Sequence, residues 1–392
     1  MNFSRVLMAG GLLLAASPLR AVYAPVPEQE LGKSLVVSLK SALAYDTNLF
    51  GAAAKNVEST VFQAVPKIAY NASVTDQTFL SLGYQLTLEH FGDRPGDQTL
   101  DSHEALVRVA HAFSQTATID VLDVFQATRN PESLLNGLPV NTDQSNHRNE
   151  LNATISVAPT AKTGITAKAR TTLLDYRDAA LGRSLDRTEN LFGVSGSYAV
   201  LPEVKAVIEA RHQDVFYRKT GESKNKASEY LMSGVDYAFA KKVTASARAG
   251  AEWRRRDAEQ STTAPYAELS LKYEYRKASY LSGGVVFTLE ETSDVARFND
   301  TKVNRAFVNM QHHVTALVVA SGSLIVESSE LQGRRGQLDL QESTVRAGGA
   351  LSYLPTKNWT VSASYDLDRV RSDERTREMV RHRVGLTAGY AF

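Results

Sequence analysis

The sequence predicts an all-β protein, a transmembrane antiparallel up-and-down β-barrel of about 18 strands. Three observations predict it: serial segments that alternate apolar and polar residues, connections that alternate between short and long, and an export signal at the start of the chain. Alternation with a period of two gives each strand one wet face and one apolar face. No later apolar run is long enough for a membrane helix, so any crossing must use strands.

The N-terminus has the anatomy of a secretory signal. Arg5 supplies the positive region, and an apolar run follows from Val6 to Ala16. This run is shorter than the roughly 20 residues that a membrane helix needs. We expect residues 1–21 to be a signal peptide, with Ala24 as the alternative cleavage point. Residues 22–34 would then be a periplasmic N-terminal segment, and residues 35–392 the barrel.

The strand pattern is clear from residue 243 onward. Its apolar parity is Val243, Ala245, Ala247, Ala249, Ala251 and Trp253, and its polar parity is Thr244, Ser246, Arg248, Gly250, Glu252 and Arg254. The same pattern recurs at 267–275 and 359–368. A helix would scatter these sets around its axis. A soluble β-sandwich also alternates, but its strands average about 5–6 residues, half the length of these segments.

The connections between segments define the strand count. Short ones fall near residues 114–116, 159–163, 201–203, 240–242, 276–278 and 355–358, and longer polar ones lie between them. Short periplasmic turns and longer outside loops are typical of outer-membrane barrels. The least regular segments lie near Val121, Val303 and Val318, so 16 strands is the alternative to 18.

Composition excludes several classes of protein. The 44 basic and 43 acidic residues leave a net charge of +1, which excludes a strongly basic nucleic-acid binder. The absence of cysteine excludes disulfide scaffolds, thiolate zinc sites and iron–sulfur ligation. We therefore expect no nucleic-acid partner and no cofactor.

The polar parity would face the barrel interior and line a pore. It carries charges of both signs, which indicates a hydrated lumen with paired charges and not a pore of one sign. The candidate pore-lining residues are Arg108, Lys168, Arg170, Arg211, Arg248, Glu252, Arg254, Glu268, Lys272, Arg346, Asp366, Asp368, Arg381 and Arg383. Arg248, Arg254 and Arg346 are candidates for ion selectivity; the alternative is that they pair with neighbours.

The longest connection, residues 129–146, contains apolar residues such as Leu134, Leu135 and Leu138. One interpretation is that this loop folds into the lumen and narrows it. The alternative is a short helical turn that caps the rim.

The first strand runs into Tyr45-Asp46-Thr47-Asn48-Leu49-Phe50. This segment resembles the opening of the type 2 β-barrel porin family of the outer membrane, through Tyr45, Asp46, Asn48 and Phe50. The resemblance implies an outer-membrane conduit that accompanies exopolysaccharide export. From the residues alone, Asp46 and Asn48 are turn residues whose side chains cap backbone groups.

The chain ends in a strand that closes with an aromatic residue. Val384, Leu386, Ala388, Tyr390 and Phe392 share one face. With Tyr390 and Phe392, this strand resembles the assembly signal of bacterial outer-membrane barrels, which implies the barrel-assembly machinery and outer-membrane lipid as partners. The expected location is the outer membrane of a Gram-negative bacterium, crossed many times.

The predicted function is a channel for hydrophilic solutes, with exopolysaccharide export as one form. A diffusion porin unrelated to polysaccharide is the alternative, followed by an outer-membrane hydrolase or a structural or adhesive barrel. An enzyme needs a nucleophile or an activated water with a base in reach. His312-His313 is the one histidine pair in the sequence, and Asp366 and Asp368 share a face but are expected to pair with Arg381 or Arg383.

Overall fold

The computed structural model describes residues 34–129, 145–219, 224–239, 242–257, 261–292, 297–334 and 336–392. The expected signal peptide and the segment that follows it lie outside this part of the chain, apart from Ser34. Residues 130–144 lie outside it too, so the predicted inward fold of the longest loop stays a prediction.

The described chain forms one closed antiparallel sheet of 18 strands, as predicted. The strands are β1 (Leu35–Asp46), β2 (Ser59–Thr75), β3 (Thr78–Phe91), β4 (Thr99–Ala112), β5 (Ala117–Thr128), β6 (Asn146–Val157), β7 (Thr163–Tyr176), β8 (Arg187–Leu201), β9 (Val204–Tyr217), β10 (Lys226–Phe239), β11 (Val243–Arg256), β12 (Thr262–Arg276), β13 (Ser279–Glu291), β14 (Phe298–His313), β15 (Val318–Gly333), β16 (Leu340–Tyr353), β17 (Trp359–Ser372) and β18 (Met379–Ala391). The three least regular segments are β5, β14 and β15, so the 16-strand alternative is wrong.

Each strand pairs with its neighbours in sequence, and β1 pairs with β18 to close the barrel. The connections alternate in length around the whole sheet, as expected. The sequence did not identify one of the short turns, at Asp76–Gln77. A short helix, α1 (Ala179–Leu185), lies in the connection between β7 and β8. No helix among the described residues is long and apolar enough to cross a membrane.

The outer face of the barrel is apolar. On β10, for example, Leu231 and Val235 are exposed while Tyr230 and Met232, on the other parity, are buried. The same division holds on β17, where Trp359, Val361 and Tyr365 are exposed and Asp366 is buried. Apolar side chains exposed on every second position suit a hydrocarbon environment, where a closed sheet leaves no backbone edge unpaired.

A buried ion pair joins the first strand to the last. Arg381 on β18 donates from Nε to both carboxylate oxygens of Asp46 on β1, at 3.0 and 2.9 Å, and its Nη2 also contacts Asp46. Both side chains are only 3% exposed. Because a two-pronged Arg–carboxylate contact fixes geometry as well as charge, it sets the register where the barrel closes.

The turn that follows β1 is built by the motif residues, and Asp46 and Asn48 do cap backbone groups. Asp46 Oδ1 accepts from the Asn48 backbone N–H at 2.9 Å. The Asn48 amide accepts from the Ala52 N–H and donates to the Ala52 carbonyl, both at 2.8 Å, and donates to the Val380 carbonyl at 3.1 Å. The motif therefore ties the first turn to the last strand, a role that the sequence did not indicate.

Removing the carboxylate of this pair should weaken the closed barrel. We expect Asp46→Asn to lower the free energy of unfolding by on the order of 3 kcal/mol, because it leaves the buried Arg381 charge without its carboxylate. The midpoint of urea-induced unfolding in lipid vesicles measures this change. Asp76→Asn, in an exposed turn, is the control. Equal midpoints for the two variants would contradict a role for the pair in closure.

Candidate functional site: a charged constriction inside the barrel

The structure places all fourteen candidate pore-lining residues on the inner parity of their strands. Arg211, Glu252, Arg254, Asp366, Asp368 and Arg381 are buried, and each lies between neighbours of the outward parity. The inner face is therefore polar and charged around the whole barrel, while the outer face is apolar. Lining a pore remains the predicted role of these residues.

Most of these inward charges have partners of opposite charge on the inner face, on the same strand or up to three strands away. Arg108 binds Asp120, Arg248 binds Asp236 at 2.8 Å, Arg211 binds Glu209 at 2.6 Å and Glu268 at 3.2 Å, and Arg383 binds Asp368 at 3.1 Å. Asp366 lies opposite Arg383 in the register, Arg346 interacts electrostatically with Asp368 and Glu327, and Lys272 lies 5.0 Å from the Tyr280 ring centroid. Paired charges solvate the lumen without giving it one sign.

The wall is interrupted at the outer end between β12 and β13. Their ladder runs from Arg276 and Ser279 up to Ala267 and Phe287, and within the described residues no pair continues above it. In a continued register Leu289 would lie opposite Pro265, which has no N–H to donate. The Leu289 carbonyl instead accepts from Arg254 Nη2 at 3.2 Å. The ends of β13 and β14 have therefore left the plane of the sheet.

The end of this hairpin contacts the inner face of β9, β10 and β11. Lys226 Nζ on β10 lies 3.0 Å from Asp300 Oδ1 on β14, and Arg254 Nη1 on β11 lies 2.6 Å from the same oxygen. Arg256 also binds Asp300. Lys226 binds Glu291 on β13, and the Tyr217 hydroxyl on β9 donates to Glu291 at 2.7 Å.

These contacts require the hairpin to fold inward. β10 and β14 are four strands apart, and strands lie about 4.8 Å apart, so a smooth wall would separate them by roughly 19 Å. Lysine and aspartate side chains cannot bridge that span. Asp300 shares its strand face with Val308, and Glu291 shares its face with Val285. Both valines are exposed on the outer surface lower on the strands, yet Asp300 is 0% exposed. The outward face of the hairpin end is therefore covered by the opposite inner wall.

We call Lys226, Glu252, Arg254, Arg256, Glu291 and Asp300 the constriction cluster. It holds three cations and three carboxylates, with Glu252 bound to Arg254 at 2.7 Å and to the Ser228 hydroxyl at 2.9 Å. Buried ions need such mutual pairing, since each loses its hydration on burial. The cluster lies at the outer ends of the strands, so it narrows the outer mouth on the side of β9 to β14.

The far side of the same hairpin is held by an exposed ion pair. Arg297 Nη2 lies 2.8 Å from Glu374 in the connection between β17 and β18, and the Arg297 guanidinium lies 4.9 Å from the Phe298 ring centroid. The hydrogen bond from Arg297 lowers the pKa of the Glu374 carboxyl. The inward-folded hairpin thus has attachments on both sides of the mouth.

Sequence reasoning found part of this site. Glu252 and Arg254 were candidates because they alternate within a clear strand. Lys226, Arg256, Glu291 and Asp300 were missed, because they stand at or near strand ends and two of them, Glu291 and Asp300, have the outward parity. Pro265 was the available signal, since proline inside a long strand indicates an edge.

The structure also bears on the enzyme alternative. Within the described ranges, no group of three or more His, Asp or Glu residues could hold a metal ion. His312, at the end of β14, contacts the Tyr275 hydroxyl at 2.9 Å. Asp368 pairs with Arg383 as expected, whereas Arg381 binds Asp46. These contacts are pairings between neighbouring side chains of the barrel wall and its seam.

No family model matches the sequence, and no curated protein matches it. Solved structures do match. A BenF-like porin from Pseudomonas fluorescens Pf-5 superposes with a TM-score of 0.50 at 9% identity, over 92% of this chain and 98% of that chain. The outer membrane protein OpdK from Pseudomonas aeruginosa matches with a TM-score of 0.48 at 8% identity, over 91% and 99%. A bacterial polysaccharide outer membrane secretin matches with a TM-score of 0.37 at 8% identity, over 91% and 98%.

At such identities the likeness to the BenF-like porin shows the fold and nothing finer. The closed 18-stranded sheet and its apolar outer face agree with that fold. The protein is a multi-pass β-barrel of the Gram-negative outer membrane.

Neutralising the central carboxylate should release the hairpin. We expect Asp300→Asn to weaken its attachment by on the order of 3 kcal/mol, because Lys226, Arg254 and Arg256 lose their shared anion. Faster protease cleavage near residues 288–303 of the folded barrel measures this. Glu330→Gln, which removes the half-exposed partner of Lys302 on neighbouring β15, is the control. Equal cleavage rates would contradict attachment through Asp300.

The exposed attachment should depend on pH. Because its folded-state pKa is lowered, Glu374 stabilises the contact with Arg297 at neutral pH, and this is lost as the pH falls below the usual glutamate range of about 4.3. Reconstituted barrels should then show more current fluctuation at acidic pH. Glu374→Gln should show that fluctuation already at pH 7. A variant with unchanged current noise and an unchanged pH profile would contradict the attachment.

Proposed function

We propose that this protein is an outer-membrane channel that passes hydrophilic solutes and is narrowed at its outer mouth by the inward-folded β13–β14 hairpin. The observation that carries the proposal is the polar and charged inner face of a closed 18-stranded wall. Barrels of 16–18 strands enclose an aqueous channel, whereas small barrels fill their interior with side chains. Transport in such a channel is diffusion down a gradient.

The constriction distinguishes two forms of this function. A conduit for exopolysaccharide, of the kind implied by the resemblance to type 2 β-barrel porins, would have to admit a hydrated polymer. The buried constriction cluster, with Asp300 and Glu252 fully covered, narrows the mouth instead. A diffusion channel for small solutes is therefore the form that we favour, and polymer export is the second candidate, supported by the Tyr45–Phe50 segment.

We also propose that the last strand is the recognition element for barrel assembly. Tyr390 packs against Trp359 and Phe392 with ring centroids 5.0 and 4.8 Å apart, and β18 supplies one edge of the closing pair with β1. An assembly machine that holds β18 until β1 arrives would leave the Asp46–Arg381 contact to form last.

Reconstitution in planar bilayers tests the channel. We expect stable conductance in salt. Small sugar polymers that enter the lumen should block the current, whereas large polymers should be excluded. Current block by large polymers as well, with evidence that they cross the membrane, would favour the export form. Complete absence of conductance from a correctly folded barrel would contradict a channel of either form.

The hairpin makes a further prediction about conductance. Replacing both Glu291 and Asp300 with glutamine and asparagine should raise single-channel conductance, because the freed hairpin no longer holds the mouth narrow. Glu330→Gln again serves as the control. A conductance equal to that of the wild type would show that the hairpin does not limit ion flow.

A further inference from the structure

Four inward arginines in this barrel have an acidic residue two positions away on the same strand face. Arg148 binds Glu150 on β6, Arg187 binds Glu189 on β8 at 2.7 Å, Arg211 binds Glu209 on β9 at 2.6 Å, and Arg254 binds Glu252 on β11 at 2.7 Å. Residues two apart on a strand point to the same side, so each of these strands neutralises its own charge.

Strand β7 has no such pair. Two of its inward residues, Lys168 and Arg170, are both cations. Among the described residues, neither has a carboxylate oxygen within 4.0 Å of its nitrogen atoms. The register places Thr154 and Gly193 beside Lys168, and Asn152 and Leu191 beside Arg170. The directly opposite neighbours are therefore neutral, although Glu209, two strands away on β9, attracts Lys168.

This pairing of like charges does not help the fold. Two residues on one strand face are about 7 Å apart, and like charges at such separations repel. Both side chains are half-buried in the middle of the wall. An acidic residue at either position would reproduce the neutral arrangement of β6 and β8. A role in contacting a solute therefore explains the two cations better than a role in stabilising the barrel wall.

The constriction cluster lies on one side of the barrel. The inward-folded hairpin contacts the side of β9 to β14 at the outer mouth, and β7 lies outside that side. A solute that moves along β7 in the proposed channel would meet Lys168 and Arg170 below the mouth.

We propose that Lys168 and Arg170 form a subsite for the oxyanion group of an anionic solute, so that the channel favours small organic anions over neutral solutes of the same size. This inference rests on the proposed channel function. The Arg170 guanidinium offers a planar fork of donors that matches a carboxylate or phosphate, and the Lys168 ammonium adds a point charge beside it. Fixed charge of one sign in a narrow passage raises the local concentration of its counter-ion.

Glucuronate and glucose are a suitable pair of probes, because they differ mainly by one carboxylate. We expect proteoliposomes containing the wild-type barrel to take up glucuronate faster than glucose. The variant Lys168→Gln/Arg170→Gln should lower the glucuronate-to-glucose flux ratio by about tenfold with little change in glucose flux. Lys168→Arg/Arg170→Lys should retain the ratio, because both charges remain.

Arg148→Gln/Glu150→Gln is the matched control, since it removes a neutral pair from adjacent β6 and should leave the ratio unchanged. Arg170→Gln alone provides a milder variant should the double variant fold poorly, and it should lower the ratio part of the way. Inorganic phosphate as a competitor distinguishes the two oxyanions: inhibition of glucuronate uptake assigns a site for either, and no inhibition restricts it to carboxylates.

Two results would overturn the subsite. Normal glucose flux with an unchanged ratio in both the single and the double variant would show that Lys168 and Arg170 do not select anions, while the channel itself stands. Absence of flux for both sugars through the folded wild-type barrel would overturn the channel and the subsite together.

Discussion

The requirement that every backbone hydrogen-bonding group find a partner governs this structure. In a hydrocarbon layer an unpaired N–H or C=O costs several kcal/mol, so a sheet must close on itself. Here closure depends on one seam, where β18 meets β1. The seam carries a backbone ladder and the buried Asp46–Arg381 pair, which is flanked by the Asn48 contacts to Ala52 and Val380. The residues that make the first turn therefore also fix the last strand.

The same requirement explains the break in the wall between β12 and β13. Pro265 cannot donate to a neighbouring strand, and above Ala267 the β12–β13 ladder ends. The freed end of the β13–β14 hairpin does not remain in the wall with unpaired backbone. It turns into the lumen, where Arg254 donates to the Leu289 carbonyl and, together with Lys226, binds the Asp300 carboxylate. A local defect in hydrogen bonding thus becomes a narrowing of the mouth.

Charge inside the barrel follows from these two constraints. Paired arginines and carboxylates solvate the interior without imposing a sign, which reduces the selectivity expected of Arg248 and Arg254, each bound to carboxylates. Lys168 and Arg170 differ because, among the described residues, neither has a carboxylate oxygen within 4.0 Å, although Glu209 on β9 attracts Lys168. Selectivity in such a lumen depends less on the number of charged residues than on which of them lack a directly bound carboxylate.

The sequence by itself determined the fold class, the strand count and the division of each strand into inner and outer faces, because period-two alternation is a local property that survives in any closed sheet. It also identified Asp46 and Asn48 as turn residues and the inward parity of the fourteen candidate residues. Only the tertiary structure decided which charges meet. Arg381 binds Asp46 across the closing seam, and Lys226 reaches Asp300 four strands away, contacts between residues far apart in the sequence. They depend on closure of the barrel and on the inward turn at the β12–β13 break, and neither is encoded in the alternation of any single strand.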